Sequence, residues 1–182
     1  MKISSRVVLF LLVLSQTACY RSPCAPPLLF TPSEKGLEKS FTSVEGKFKI
    51  DMPPPQKTPT PESDGSIKYG WLIVNRGQFQ VRYSDYENDL EHIHNTDGFF
   101  DRLRDLYLAK NPGQIENDQE LSLSGHPGRA LRIRREKFIE LLRLYAVKNR
   151  LYWVTAVIPI KLECALADAE ASVASFELVA DN

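Results

Sequence analysis

The chain has 182 residues, of which 43% are hydrophobic and 25% are charged, and its formal net charge at pH 7 is zero. This is the ordinary composition of one globular domain that is large enough for a single hydrophobic core. The balanced charge argues against a strongly basic nucleic-acid-binding protein, so we expect no nucleic-acid partner.

The first residues have the pattern of a bacterial export signal. Basic residues are followed by an unbroken apolar run at residues 7–14, and small residues precede Cys19. The run is shorter than the about 20 residues that a permanent transmembrane helix needs. We therefore expect residues 1–18 to be a signal peptide that is removed during export.

The residues at the expected cut resemble the lipobox of bacterial lipoproteins. Thr17 and Ala18 suit the two positions before the cysteine, which predicts a lipid on Cys19. The mature protein would then be anchored to a membrane, in the periplasm or on the outer face of the cell envelope. Gln16 departs from the pattern, and an ordinary signal-peptidase cut that leaves Cys19 unmodified is the alternative.

The three cysteines are expected in an oxidising compartment, where disulfides persist. If Cys19 carries a lipid, Cys24 and Cys164 are the remaining pair. Cys24 lies in a Pro-rich segment and Cys164 at the start of a helical pattern, so we expect unpaired thiols, with a Cys24–Cys164 disulfide as the alternative. If Cys19 carries no lipid, Cys19 and Cys24 are close enough to close a small loop.

Pro-rich residues 19–43 predict an extended tether, and residues 44–182 are expected to form a single domain. Residues 46–52 alternate apolar and polar side chains like a strand. Residues 66–74 and 78–83 predict a hairpin, because the Asn-Arg-Gly sequence between them suits a tight turn.

A helix is predicted next, capped by Thr96 or Asp97. Its apolar face has helical spacing and consists of Phe99, Phe100, Leu103, Leu106 and Tyr107. Strands are predicted at residues 130–134, 138–147 and 151–158. A closing helix has its core stripe at Leu162, Leu166, Ala169, Val173 and Phe176.

The strand at residues 151–158 is apolar on both faces, which is typical of a central strand that is covered on both sides. We expect Trp153 and Val157 to pack against one helix, and Val154 and Ile158 to pack on the opposite face. The predicted fold class is therefore α+β, a single-domain antiparallel β-sheet with helices packed on it.

Charge is unevenly distributed along the domain. Residues 85–120 are mainly acidic and residues 129–161 mainly basic. The two blocks either attract each other in the fold or form faces of opposite sign, and solvated faces are the commoner outcome.

Two pairs of residues are candidates for a binding surface. Arg132 and Arg134 share the outer face of a predicted strand and could meet phosphate or carboxylate groups. Tyr145 and Tyr152, on facing strands, could add aromatic surface. Cross-strand pairing within the sheet is the better-supported interpretation of both pairs.

His92 and His94 lie in an acidic stretch and would point to the same face of a strand, so they could bind a metal. Further ligands would have to come from Asp89, Glu91 or Asp97, and a solvated loop is the commoner outcome. His126 lies in a Gly-His-Pro-Gly turn, where its imidazole should face solvent. Ser122 and Ser124 flank that turn without a nucleophile motif. We assign no catalytic residue, metal or cofactor.

Six motifs, in order, resemble a group of uncharacterised bacterial exported proteins. They are GKFKIDMP (46–53), VRYSDY (81–86), GHPGR (125–129), NRLY (149–152), ADAE (167–170) and SFEL (175–178). That group is distantly similar to the PsbP-like α/β/α sandwich, so the resemblance implies this fold. The fold hosts extrinsic photosystem subunits and unrelated interaction domains, and it implies no activity.

The functional expectation follows from the signal, the tether and the lack of a catalytic motif. We expect a membrane-tethered, non-enzymatic domain that binds another envelope or membrane component, with a protein as the expected partner. The alternative is an enzyme or small-ligand-binding protein that uses His92 and His94.

Overall fold

The computed structural model describes residues 40–52, 59–73, 76–87, 90 and 98–179. The predicted signal peptide, the lipidation site Cys19, Cys24 and the His92/His94 segment lie outside these residues. The elements of the described part are β1 (Phe41–Ser43), β2 (Phe48–Ile50), β3 (Thr60–Pro61), β4 (Ile67–Ile73), β5 (Gly77–Asp85), α1 (Phe99–Lys110), β6 (Gln114–Leu123), β7 (His126–Arg134), β8 (Phe138–Val147), β9 (Arg150–Pro159), a 3-10 helix (Ile160–Ala165), α2 (Leu166–Ala174) and β10 (Glu177–Leu178).

The strands form two antiparallel sheets. The larger sheet has seven strands in the order β3-β4-β5-β9-β8-β7-β6, and the smaller has the order β1-β2-β10. Neighbouring strands are antiparallel throughout both sheets. The predicted α+β class with an antiparallel sheet is therefore confirmed.

β9 is the middle strand of the larger sheet, and both of its faces are covered. Val154 and Ile158 are at most 1% exposed and lie in the core cluster that includes Val173 of α2. On the other face, the Trp153 ring lies 5.7 Å from the Tyr107 ring of α1, between centroids. The predicted two-sided burial is confirmed, with Val157 half-buried on the Trp153 side.

The closing helical segment has the predicted core stripe, since all five of its residues are buried. Its first part is a 3-10 helix that is kinked at Leu162, where the backbone angles are non-helical (φ −114°, ψ 23°). Phe176 follows α2, and its ring is stacked on that of Tyr145 at 5.6 Å.

The sequence analysis missed four strands, of which β3 and β10 are only two residues long. β1 lies within residues assigned to the tether, and β6 lies in a segment with no predicted element. β6 is an edge strand in which polar residues dominate, and its apolar Ile115, Leu121 and Leu123 are only half-buried. A bulge between Ile115 and Asn117 further interrupts its alternation.

Two local predictions are corrected and a third is confirmed. Leu106 was expected on the buried face of α1 but is 64% exposed, whereas Leu108 packs against the core. Tyr145 and Tyr152 are paired in register and buried, which confirms cross-strand pairing, the favoured interpretation of these two residues. The turn before β7 is Ser124–Gly125, and His126 begins the strand.

The opposite charge blocks attract each other. Arg129 and Arg104 hold Asp118 of β6, with Nη2–Oδ2 and Nη1–Oδ2 distances of 3.0 and 2.8 Å. Arg132 and Arg134 both donate to Glu116, also on β6. Their guanidinium groups therefore meet carboxylates of the same chain.

Cys164 is exposed, within the 3-10 helix, and it is disulfide-bonded. The expectation of an unpaired thiol therefore does not hold at Cys164. The chain's other two cysteines, Cys19 and Cys24, lie outside the described residues, so the Cys24–Cys164 pairing stays a prediction.

Among the helices of the described part of the chain, none is both long and apolar enough to span a membrane.

Candidate functional site

Three hairpin turns converge at one end of the strands. Lys47 lies between β1 and β2, Ser124 between β6 and β7, and Lys148 between β8 and β9. Each has a φ of 52°, a left-handed conformation that is uncommon for residues other than glycine. All three residues line the same cavity.

This cavity, which we call the turn-end pocket, has a volume of about 570 Å³. Its polar lining comprises Lys47, Asp85, Ser124, His126, Lys148, Asn149 and Arg150. Tyr152 and the end of β10 also line it. The pocket thus brings together residues that are far apart in the sequence.

Arg150 is the most firmly held charged group of the pocket. Its Nε and Nη2 donate to the two carboxylate oxygens of Asp85 at 2.5 and 2.7 Å, and its Nη1 donates to the Glu45 carbonyl at 3.1 Å. The guanidinium carbon lies 4.1 Å from the centroid of the Tyr83 ring. A bidentate pair that is also stacked on an aromatic ring is geometrically fixed.

The titration of these groups reflects their contacts. The hydrogen bonds from Arg150 hold the pKa of Asp85 below its ordinary value. Burial works against the charge of Arg150, but its hydrogen bonds to Asp85 and Tyr152 raise its pKa above the usual value. Burial and the nearby Glu45 raise the pKa of Tyr83 to about 12. Asp85 and Arg150 are therefore a charged pair at neutral pH.

The β1–β2 turn is fixed to the sheet by backbone contacts. The Tyr152 hydroxyl donates to the Gly46 carbonyl at 2.9 Å, and the Val179 amide donates to the Lys47 carbonyl at 3.0 Å. These bonds, with that from Arg150 to Glu45, position Lys47 at the rim of the pocket.

The β8–β9 turn is fixed in a similar way. The Leu90 amide donates to the Lys148 carbonyl at 2.7 Å, and the Tyr86 amide donates to the Asn149 carbonyl at 2.8 Å. The Asn149 side chain returns a hydrogen bond to the Tyr86 carbonyl at 3.1 Å. Lys148 is therefore presented from a rigid turn.

The charged side chains that line the described part of the pocket are mainly cationic. They are Lys47, Lys148, Arg150 and a single carboxylate, Asp85, which accepts hydrogen bonds from Arg150 and whose pKa is lowered further by Lys47. The imidazole of His126 lies beside them. Anions are attracted to clefts lined by one sign of charge, particularly where low-dielectric walls focus the field. The pocket is therefore suited to a carboxylate or phosphate group.

A slightly larger cavity, of about 610 Å³, lies between α2 and strands β6–β8. Its charged lining is balanced, because Glu116 and Glu170 face Arg132 and Arg143. Arg132 bonds to both carboxylates, at 2.9 and 3.3 Å. Acidic and basic side chains are equal in number here, whereas cations predominate in the turn-end pocket, so we favour the turn-end pocket as the candidate site.

The structure brings together some of the residues that the sequence singled out. Ser124 and His126 lie in the turn-end pocket, and His126 is half-buried rather than directed fully to solvent. Ser122 is exposed on β6. The sequence analysis missed Lys47 and Lys148 as site residues, since their grouping depends on strand pairing; the basic block at residues 129–161 was the available signal for Lys148.

Metal binding finds no support in the part of the chain that the structure describes. No group of three or more histidine, cysteine, aspartate or glutamate side chains there could hold a metal ion. His92, His94 and their candidate partners lie outside that part, so their convergence stays untested.

Comparison with solved structures shows the fold. The chain is similar to the solution structure of cyanobacterial PsbP (CyanoP) from Synechocystis sp. PCC 6803, with a TM-score of 0.55 and 12% identity, over 82% of this chain and 98% of that one. A crystal structure from Bacteroides thetaiotaomicron VPI-5482 has a TM-score of 0.46 and 15% identity, over 80% of this chain and 50% of that one.

A third neighbour is protein PA94 of Pseudomonas aeruginosa, described as a putative regulator of unknown function. It has a TM-score of 0.39 and 12% identity, over 79% of this chain and 97% of that one. No family model and no curated protein matches the chain. At this identity the likeness concerns the fold alone: the chain has a PsbP-like α+β fold.

Proposed function

We propose that the protein is a membrane-tethered, non-enzymatic domain of the cell envelope that binds an anionic group of another envelope component in the turn-end pocket. The observation that carries the proposal is the mainly cationic lining of that pocket, where Lys47, Lys148 and Arg150 lie with one carboxylate, Asp85. Three rigid turns present these groups, which lowers the cost of ordering them around a ligand.

The tether in this proposal is a lipid on Cys19. Each buried CH₂ group of an acyl chain contributes about 0.8 kcal/mol to membrane binding, so several chains anchor a protein stably. The export signal and the lipobox-like residues before Cys19 support this part of the proposal.

The same proposal takes α1 and α2 as the outer layers of an α/β/α sandwich. Tyr107 of α1 and Val173 of α2 pack with residues on opposite faces of β9, which supports this arrangement. Binding rather than catalysis is favoured because the pocket offers charged groups held in fixed positions, as at Arg150 and Asp85.

The proposal is tested by titrating the isotope-labelled mature chain, made soluble by Cys19→Ser, with inorganic phosphate and with acetate. We expect amide chemical shifts to change at residues 47, 124–126 and 148–150. Double charge reversal in the pocket, Lys47→Glu with Lys148→Glu, should weaken binding at least about tenfold, because it replaces two cations by anions.

The matched control reverses two exposed lysines outside the pocket, Lys137→Glu with Lys161→Glu. It changes the net charge equally and should leave the pocket shifts in place. Equal losses in the two double variants would show that only overall charge matters, and the pocket would then be rejected as the site.

A further inference from the structure

Arginine side chains lie on the face of β7 and β8 that is turned toward α2. Arg132 donates to Glu116 at 2.9 Å and to Glu170 at 3.3 Å. Arg134 donates to Glu116 and, at 3.1 Å, to Glu163. The guanidinium groups of these two arginines are therefore occupied by carboxylates of the same chain.

Arg143 of β8 lies on the same face, because it is paired in register with Ala130 of β7, two residues before Arg132. It is half-buried, and the hydrogen bond of its side chain runs from Nη1 to the Tyr145 hydroxyl at 3.5 Å, which is long for such a bond. Among the described residues, no carboxylate forms an ion pair with Arg143. Its planar fork of N–H donors, which matches the two oxygens of a carboxylate, is therefore largely unused.

Arg143 lines the cavity of about 610 Å³ between α2 and strands β6–β8, which we call the Arg143 cavity. The small side chain of Ala130 leaves space beside the arginine. Leu141 and Val173 are buried and supply an apolar wall. Apolar walls with a few polar groups, in a cavity of this size, are typical of sites for small ligands.

β6 adds neutral hydrogen-bonding groups to the Arg143 cavity. Asn117 and Gln119 line it, and both residues are exposed. Within the described part of the chain, neither side-chain amide has a hydrogen-bond partner. Each amide has donors and an acceptor, so it can pair with the C=O and N–H of a peptide group.

The charges around Arg143 favour a ligand with a single negative charge. Glu116 and Glu170 belong to the same lining and are held by Arg132, so a ligand meets one unpaired cation. A second negative charge on the ligand would be repelled by these two carboxylates at short range. A carboxylate therefore suits the cavity better than a phosphate dianion does.

We propose that the Arg143 cavity binds the C-terminal carboxylate of a short peptide. Arg143 receives the carboxylate, Asn117 and Gln119 pair with the adjoining peptide group, and the apolar wall contacts the terminal side chain. The cavity shares no described lining residue with the turn-end pocket, so this is a second site with a ligand of its own.

The first test titrates the isotope-labelled mature chain, made soluble by Cys19→Ser, with N-acetyl-alanyl-alanine, whose terminal carboxylate is free. We expect amide chemical shifts to change at residues 117–119 and 141–143. The same dipeptide with a C-terminal amide should bind at least about tenfold more weakly, because it lacks the charge-assisted pair. Equal binding of the two forms, tighter binding of inorganic phosphate at these residues, or no change at all would overturn the proposal.

The second test changes the arginine itself. Arg143→Gln should weaken binding of the free dipeptide at least about tenfold, and Arg143→Lys should recover only part of the loss, because lysine keeps the charge without the fork. The matched control is Arg102→Gln, which removes the same charge from an exposed position on α1, on the other side of the sheet. Equal weakening by Arg143→Gln and Arg102→Gln would show that only net charge matters and would overturn the site.

A third measurement needs no ligand. Ala130→Asp places a carboxylate directly opposite Arg143 on the neighbouring strand. In chemical denaturation at pH 7 we expect this variant to be more stable than the isosteric Ala130→Asn. It should also lose dipeptide binding, since the new carboxylate takes the place of the ligand. Equal stability of the two variants would mean that a carboxylate in the cavity does not pair with Arg143, which would overturn the proposal.

The same titrations separate this site from the proposed function. Lys47→Glu with Lys148→Glu should leave dipeptide binding at residues 141–143 in place. Arg143→Gln should leave the phosphate-induced shifts at residues 124–126 in place. Dipeptide-induced shifts that are confined to the turn-end pocket would reject the Arg143 cavity and leave the proposed function intact.

Discussion

A carboxylate is buried beneath α1, where Glu140 of β8 is only 4% exposed. Its Oε2 accepts hydrogen bonds from Nη2 and Nε of Arg135 at 2.6 and 3.1 Å, and its Oε1 accepts one from the Tyr107 hydroxyl. Arg135 also donates to the Pro112 carbonyl at 2.5 Å, which ties the end of α1 to the sheet. The cluster of Glu140, Arg135 and Tyr107 stabilises the fold, since a buried charge is tolerated only when it is fully paired.

We predict that Arg135→Ala destabilises the protein by about 3–5 kcal/mol, because it leaves the Glu140 carboxylate buried without a counter-ion. Chemical denaturation measures this loss. Adding Glu140→Gln to the variant should recover part of it, since the uncompensated charge is removed. A loss below about 1 kcal/mol in the single variant would mean that the pair behaves as a solvated surface pair.

The buried face of β9 gives a second prediction at this scale. Val154 is 1% exposed, so Val154→Asp buries an unpaired charge and should cost about 4 kcal/mol or more. Leu72→Asp is the matched control, because Leu72 of β4 is 64% exposed and should tolerate the change within about 0.5 kcal/mol. If Val154→Asp and Leu72→Asp lowered the thermal unfolding temperature equally and only slightly, β9 would not be covered on its Val154 face.

At the scale of elements, periodicity predicts those that are strongly apolar and misses those that are polar. The two-sided apolar run of β9 and the stripe of α2 are explicit in the sequence, and both are confirmed. β6 is an edge strand that pairs with β7 along its length, and its acidic side chains form ion pairs with Arg104, Arg129, Arg132 and Arg134, a pattern that local alternation does not reveal. Leu106 was misplaced because a five-residue apolar face is wider than the surface that α1 buries.

The stability that β6 contributes should depend on pH. Burial works to raise the pKa of Asp118, but hydrogen bonds from Arg129 and Arg104 hold it below its ordinary value of 3.8. A carboxyl with a lowered folded-state pKa contributes stability above its unfolded value and loses that contribution as the pH falls through the folded-state pKa.

We therefore predict that Asp118→Asn is destabilised at pH 6 but differs progressively less from the wild type as the pH falls below about 4. Denaturant midpoints measured between pH 6 and pH 2 check this. A stability difference that stays constant over the whole range would show that the Asp118 charge is not coupled to folding.

At the scale of the whole molecule, the candidate site could be predicted only in part. The sequence analysis placed His126 and Ser124 at a turn. The basic block at residues 129–161 indicated positive charge near Lys148. Their grouping with Lys47 depends on which hairpin turns share an end of the sheet, and strand order does not follow from local pattern. The sequence nevertheless supplied the hypothesis of a membrane tether.

We predict that Cys19→Ser moves the protein from the membrane fraction to the soluble fraction, because the tether loses its acyl chains. Fractionation and immunoblotting measure the distribution. Cys24→Ser should stay with the membrane, since it leaves the lipid on Cys19 in place. Retention of the Cys19→Ser protein on membranes would refute the lipid anchor.

The most direct test of the account asks whether the turn-end pocket contacts a partner in the cell. A photo-crosslinking amino acid at position 124, in the pocket rim, should give a discrete adduct in intact cells. Adduct formation should be lost with Lys47→Glu and Lys148→Glu and retained with Lys137→Glu and Lys161→Glu. An adduct that survives the pocket reversal, or no adduct at position 124, would contradict anion binding by the turn-end pocket.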